Sequence, residues 1–215
     1  MINPWLDLSE TTPYVLPQDH QRIAAFNRTA DASTLIRLEM MPEPFLGNPD
    51  APVVLLNLNP GFNPAAHRNE TPEFYTLSRN NLRQEGGEYP FYLLTPSLDV
   101  PGRTWWESKL SRLIRAKGVK AVANGLLCIE YFPYHSTKFR HSKLSVPSQQ
   151  YSFDLVRSAI ARNAAFVVMR AEKLWRAAVP ELAAYRRLYG LSSPQNVVIS
   201  PNNCPEGYTI ILDAL

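Results

Sequence analysis

Pro52-Val-Val-Leu-Leu-Asn-Leu-Asn-Pro-Gly-Phe-Asn-Pro64 decides how this chain folds. Residues 53–58 form an apolar run of strand length, rich in valine and leucine, and Pro60 and Gly61 stop it at once. Such a run predicts a strand buried on both faces, as in a parallel sheet covered by helices. Ligands of open parallel sheets bind just beyond the carboxyl ends of the strands. Asn57, Asn59 and the turn amides at Gly61 and Phe62 are therefore placed at a crevice.

Other segments repeat this pattern. Residues 126–132 (LLCIEYF) run into Pro133-Tyr-His-Ser136, and residues 196–200 (NVVIS) run into Pro201-Asn-Asn-Cys-Pro205. A further apolar run, residues 164–169, passes directly into a helical stretch near Ala171. The strands expected are residues 53–58, 126–132, 166–169 and 196–199. Between them, Thr104-Trp-Trp-Glu107 has the form of a capping box, with Trp105, Leu110, Leu113 and Ile114 forming an apolar stripe that ends at Gly118. Residues 149–163 carry Phe153, Val156, Ala159 and Ile160 at helical spacing, and a third helix is expected from Pro180 to Gly190. The first 43 residues read as an irregular, Pro-rich extension with one helix from Asp19 to about Asn27, burying Ile23 and Phe26. The alternation predicts one domain over residues 1–215: an α/β fold, a three-layer α/β/α sandwich around a central four-stranded parallel sheet.

Composition bounds the chemistry. The chain has 215 residues, 45% of them hydrophobic, enough to bury a full core. A net charge of +3 permits a nucleic-acid partner without demanding one. Two cysteines, Cys128 and Cys204, are too few for a disulfide framework or a four-thiolate cluster, and His135 and His141 have no ligand pattern beside them. No Gly-x-Gly-x-x-Gly or Walker loop is present, so no cofactor is expected. No apolar stretch reaches membrane-spanning length and the start lacks a signal-peptide pattern, so the expected location is cytoplasmic with no membrane partner. The sequence does not give the oligomeric state.

Leu58-Asn59-Pro60-Gly61 after a buried strand resembles the first motif of the uracil-DNA glycosylase superfamily, closest to its mismatch-specific and single-strand-selective branches. Ser200-Pro201-Asn202 resembles the second motif, usually His-Pro-Ser or Asn-Pro-Ser, and the likeness spans residues 44–205. The resemblance implies a DNA-repair glycosidase, a hydrolase that flips a base into a pocket and breaks its N-glycosidic bond. It implies Asn59 as the residue that places water near the sugar, with Ser200 in the second motif and Gly61 allowing close backbone approach. Phe62, Asn202 and Asn203 would line the site, and either Phe74 or Tyr75 would stack on the base. Two positions depart from the family. Glu130 stands where an Asn often reads the pyrimidine edge, and an ionised carboxylate only accepts hydrogen bonds. Ser200 replaces the imidazole that some members use to stabilise the departing base. These departures leave open an inactive relative that serves as a nucleic-acid or nucleotide binding module.

Plainer roles stand beside these. Asn59 could simply initiate a turn, and Glu130 could be a solvated strand position. The run from Tyr134 to Lys143 holds His135, Lys138, Arg140 and Lys143 with interleaved aromatics, and no acid occurs between residues 131 and 153. It reads either as a solvated loop or as a grip on the backbone of DNA or another nucleic acid. A serine hydrolase is disfavoured, because neither Ser136 nor Ser200 sits in Gly-x-Ser-x-Gly.

Overall fold

The computed structural model describes residues 1–64 and 71–215. Its frame is one mixed sheet of five strands: β1 (Phe45–Gly47), β2 (Val53–Asn57), β3 (Leu126–Glu130), β4 (Ala165–Val168) and β5 (Leu188–Gly190), in the order β1-β3-β2-β4-β5. β3, β2, β4 and β5 run parallel, and β1 lies antiparallel on β3. The expected four-stranded parallel sheet is thus corrected to a mixed sheet of five, its parallel part flanked by a three-residue strand too short to leave a periodic signal.

Every residue of β2, β3 and β4 is buried, and their side chains alternate between two cores. Val54, Leu56, Leu127, Ile129, Phe166 and Val168 face one core. Ile23 of α1 (Pro17–Asn27), Val156 of α5 (Gln149–Ala161) and Trp175 of α6 (Glu172–Ala178) close over them. Val53, Leu55, Leu126, Cys128, Ala165 and Val167 face the other, under Phe74 of α2 (Pro72–Leu82), Leu110 of α3 (Pro101–Lys117), Val122 of α4 (Val119–Gly125) and Ile211 of α7 (Tyr208–Ala214). Fully burying one such aliphatic side chain contributes about 1.5–3 kcal/mol, so both faces reward the same register. Trp5, Leu8, Leu16, Ile36 and Met41 belong to the first core. The first 43 residues are therefore packed into the fold rather than appended to it.

Local chemistry sets the helix starts. Proline opens α1, α2 and α3, where its fixed φ suits the first turn and its missing N–H costs nothing. This places the start of α3 at Pro101, upstream of the expected capping box, and buries Trp106 where Trp105 was expected. Gly118, at φ 85°, ends the helix as expected.

The last strand differs most from expectation. Residues 196–199 form no strand, because their backbone is satisfied elsewhere. Asn203 Nδ2 donates to the carbonyls of Asn196 (2.7 Å) and Val198 (2.8 Å), and the Ile199 amide donates to the Lys109 carbonyl (3.0 Å). The open edge of β4 is taken instead by residues 188–190, inside the stretch expected to be helical. There the helical tendency ends as a single 3₁₀ turn, Pro180–Ala183.

The free edge of β1 is closed by a side chain. Asn81 Nδ2 donates to the Phe45 carbonyl (2.8 Å), and its Oδ1 accepts from the Gly47 amide (3.0 Å), reproducing one rung of a neighbouring strand. Asn81→Ala would leave both buried backbone groups unpaired. We expect it to lower unfolding stability by on the order of 3 kcal/mol, read from denaturant midpoints at unchanged m-value.

Candidate functional site

The chain leaves β2 toward β3 on one side and leaves β4 toward β5 on the other. The topological switch point thus lies between the carboxyl ends of β2 and β4, where a crevice is expected. β2 is held there by Trp175, whose Nε1 donates to the Asn57 carbonyl at 2.7 Å. At the end of β4 the backbone turns sharply through Ala171, at φ 60°, a left-handed conformation that costs a non-glycine residue about 1 kcal/mol.

Asn57 and Glu130 are direct partners in the β2–β3 register and both are buried. Asn57 Nδ2 donates to Glu130 Oε1 at 2.9 Å. The other two polar atoms, Asn57 Oδ1 and Glu130 Oε2, are buried without a hydrogen-bond partner among the described residues. Orphaned polar atoms of this kind are uncommon and call for a reason. Glu130 is not the solvated strand residue that alternation allowed. Burial, opposed by the Asn57 amide and reinforced by the charge of Glu43, pushes its carboxyl up to about 8. At neutral pH it is mostly a neutral acid, which carries a donor on one oxygen as well as acceptors. The restriction to acceptor chemistry inferred from sequence therefore does not apply.

Beside this pair the first-motif turn is tied to the segment that follows β3. Asn59 Nδ2 donates to Ser136 Oγ (3.0 Å) and to the Pro60 carbonyl (2.9 Å), and among the described residues its Oδ1 accepts no bond. Gly61 forms an isolated parallel bridge with Ser136, and the Phe62 amide donates to the Ser136 carbonyl at 3.2 Å. His135 is expected from sequence to meet phosphate, but it is buried. Its Nδ1 faces the Gly61 carbonyl (2.8 Å), and its Nε2 faces the Met41 carbonyl (2.9 Å) and Glu43 (3.3 Å). Every partner of the ring is an acceptor, so both nitrogens are needed as donors. Burial opposes the charge, but Glu43 and the two carbonyls outweigh it and raise the pKa. His135 holds the turn from behind, as a positioning residue.

The remaining candidates are scattered. Gly61 is exposed, with open space where a Cβ would stand. Phe62 is half-buried under the Arg37 guanidinium, 4.6 Å from the ring centroid. Phe74 is buried against Tyr92 and Tyr75, whereas Tyr75 is half-buried and packs against Tyr14. Of the two stacking candidates, Tyr75 is therefore the one with surface to offer. Ser200 Oγ accepts from the Asn203 amide (3.3 Å), and the Ser200 turn shares no hydrogen bond with Asn57, Asn59 or Glu130 among the described residues. Asn203 is a buried structural residue, and Asn202 lies exposed beside it. Lys138, Arg140 and Lys143 are exposed. Sequence reasoning missed Glu43 and Trp175. An acid between two prolines in the apolar stretch 40–46 was the available signal for Glu43. Among the described residues no three His, Cys, Asp or Glu side chains are grouped to hold a metal ion, and no helix is long and apolar enough to cross a membrane.

The raised carboxyl sets a pH dependence of stability. A carboxyl whose folded pKa lies above its unfolded value contributes fully below about pH 4.5, and that contribution is lost as pH rises toward about 8. Glu130→Gln removes this proton. The stability of the variant relative to wild type should rise between pH 5 and 8 by up to ~1.4 kcal/mol per pH unit, measured by urea unfolding; His135, raised in the same sense, remains in both proteins. A flat difference would remove Glu130 from the titrating pair. Comparison with protein-family models, with curated proteins and with solved structures finds no match to this chain.

Proposed function

We propose that this chain is a uracil-DNA glycosylase-like protein, a three-layer α/β/α domain that holds a nucleobase of a nucleic acid at the carboxyl ends of β2 and β3. The observation that carries the reading is the pair of orphaned atoms on Asn57 and Glu130. With the carboxyl neutral, Glu130 Oε2 can carry a proton, and Asn57 Oδ1 offers a lone pair. A lactam edge, a ring N–H beside a C=O, satisfies both at once, and uracil, thymine, hypoxanthine and xanthine all present one. Both atoms are closed off in the unliganded chain, so an entering base must part the layer that covers them. Entry would exchange two unsatisfied groups for two hydrogen bonds, each such group being worth about 1–3 kcal/mol.

Asn59 suits the hydrolytic role. Its Nδ2 is fixed by Ser136 and Pro60, which orients Oδ1 as an acceptor for a water proton. In that role the oriented water bonds to the sugar C1′ as the bond to the base nitrogen breaks; the bonding pair leaves with the base, which takes up the proton that the water gives up. The binding-module reading is favoured by one observation: the Ser200 hydroxyl caps its own turn, and its segment brings no cation to the base. Loss of one well-placed donor costs about 10²–10³ in rate.

Oligonucleotides carrying uracil, hypoxanthine, xanthine or mismatched thymine test both readings. Wild type should lose affinity for lactam bases by up to about tenfold between pH 8 and 9 as Glu130 gives up its proton, whereas Glu130→Gln, which keeps a donor, should bind evenly across that range. Asn59→Ala should abolish base release with binding largely intact, because water placement acts on the transition state. Binding without release from any of the four by wild type would assign the chain to the module reading, and no affinity for any would end both.

A further inference from the structure

A second feature lies between α1 and the basic segment. An open cleft of ≈ 530 Å³, within the usual range for small-molecule sites, is lined by Arg22 and Phe26 of α1 and by Arg140, His141, Lys143 and Leu144. No acid lines it. Arg22 is steadied by a 2.8 Å bond to the Ser145 carbonyl. Lys138, grouped with Arg140 and Lys143 by sequence, does not line the cleft.

His141 also lines this cleft. It is 2% exposed, and both ring nitrogens are buried without a hydrogen-bond partner among the described residues. Phe132, Phe139 and Phe26 surround the ring at centroid distances of 4.4, 4.2 and 5.4 Å. Burial in this aromatic cage holds its pKa down at about 4, so the ring is neutral and offers one donor and one acceptor. A cationic rim over an apolar floor selects an anion with a flat apolar body. A bare anion would leave the floor of Phe26 and Leu144 uncovered, and an uncharged ring would leave the rim unused.

We propose that this cleft is a nucleotide site, in which the phosphate of a nucleoside 5′-monophosphate unit lies among Arg22, Arg140 and Lys143 and its base lies on Phe26 and Leu144. The segment that carries Arg140 and Lys143 begins at His135 and Ser136, which are bonded to Gly61 and Asn59. One stretch of chain therefore joins the cleft to the strand-end turn. The choice of a nucleotide over another aromatic anion rests on that strand-end reading; the site itself rests on the cleft.

Uridine 5′-monophosphate, uridine and inorganic phosphate, titrated separately into the full chain and followed by the ring resonances of Phe26 and His141, test the proposal. The nucleotide should shift both rings and bind at least about tenfold more tightly than uridine or phosphate, the difference expected for one charge-assisted contact. Arg140→Gln/Lys143→Gln changes only exposed side chains, and its native fold is checked by the methyl spectrum. It should weaken nucleotide binding at least about tenfold and flatten its salt dependence. Phosphate binding as tightly as the nucleotide, an unweakened double variant, or shifts confined to Asn57, Asn59 and Glu130 would overturn the site. Free uracil, followed at Asn57 and Glu130, separates the two readings: shifts there with a silent cleft leave the strand-end reading standing, and a responsive cleft with silent strand ends does the reverse.

Discussion

The structure depends on β2 having no free side. Strands flank it at both edges, and helices cover both its faces, so all five of its residues are buried. A strand so placed can expose chemistry only at its ends. The β2 ladder ends at the buried Asn57, and the chain first reaches solvent at the half-buried Leu58 and Asn59. Only that exit can present the polar groups of β2, because the rest of the strand is committed to packing.

Burial at the exit has an electrostatic consequence. Glu43, Glu130 and His135 lie close together in the low-dielectric end of the sheet, and a lone buried charge there is costly. Glu43 faces His135 and raises its pKa, while burial holds Glu130 as a mostly neutral acid. Glu43 favours the protonated form of both neighbours: it raises the pKa of His135, and with burial it raises that of Glu130 against the Asn57 amide and the Arg170 charge. This coupling lets a residue type that ordinarily reads as an acceptor serve as a donor.

The strand-end turn and the basic cleft share one segment of chain. The segment after β3 contributes Tyr134 to the core, His135 to the turn and Ser136 to Asn59 before it opens into exposed Lys138 and Arg140. Its first residues are therefore scaffold and its later ones surface, although all of them belong to one basic run in the sequence.

By itself the sequence determined the three central strands, the exit at Asn59-Pro60-Gly61 and the long helices before and after β3, because these rest on local signals: apolar runs of fixed length and Pro or Gly at their ends. It also singled out Asn57, Asn59 and Glu130. Tertiary structure alone decided the rest. Residues 188–190 became the outer parallel strand and residues 196–199 did not, since the open edge of β4 and the side chain of Asn203 competed for backbone groups that look alike in sequence. His135 and His141, six positions apart, have their pKa values moved in opposite directions because one faces three acceptors and the other faces three phenyl rings. Protonation is set by what surrounds a group, and neighbours brought together from distant parts of the chain leave no trace in local pattern.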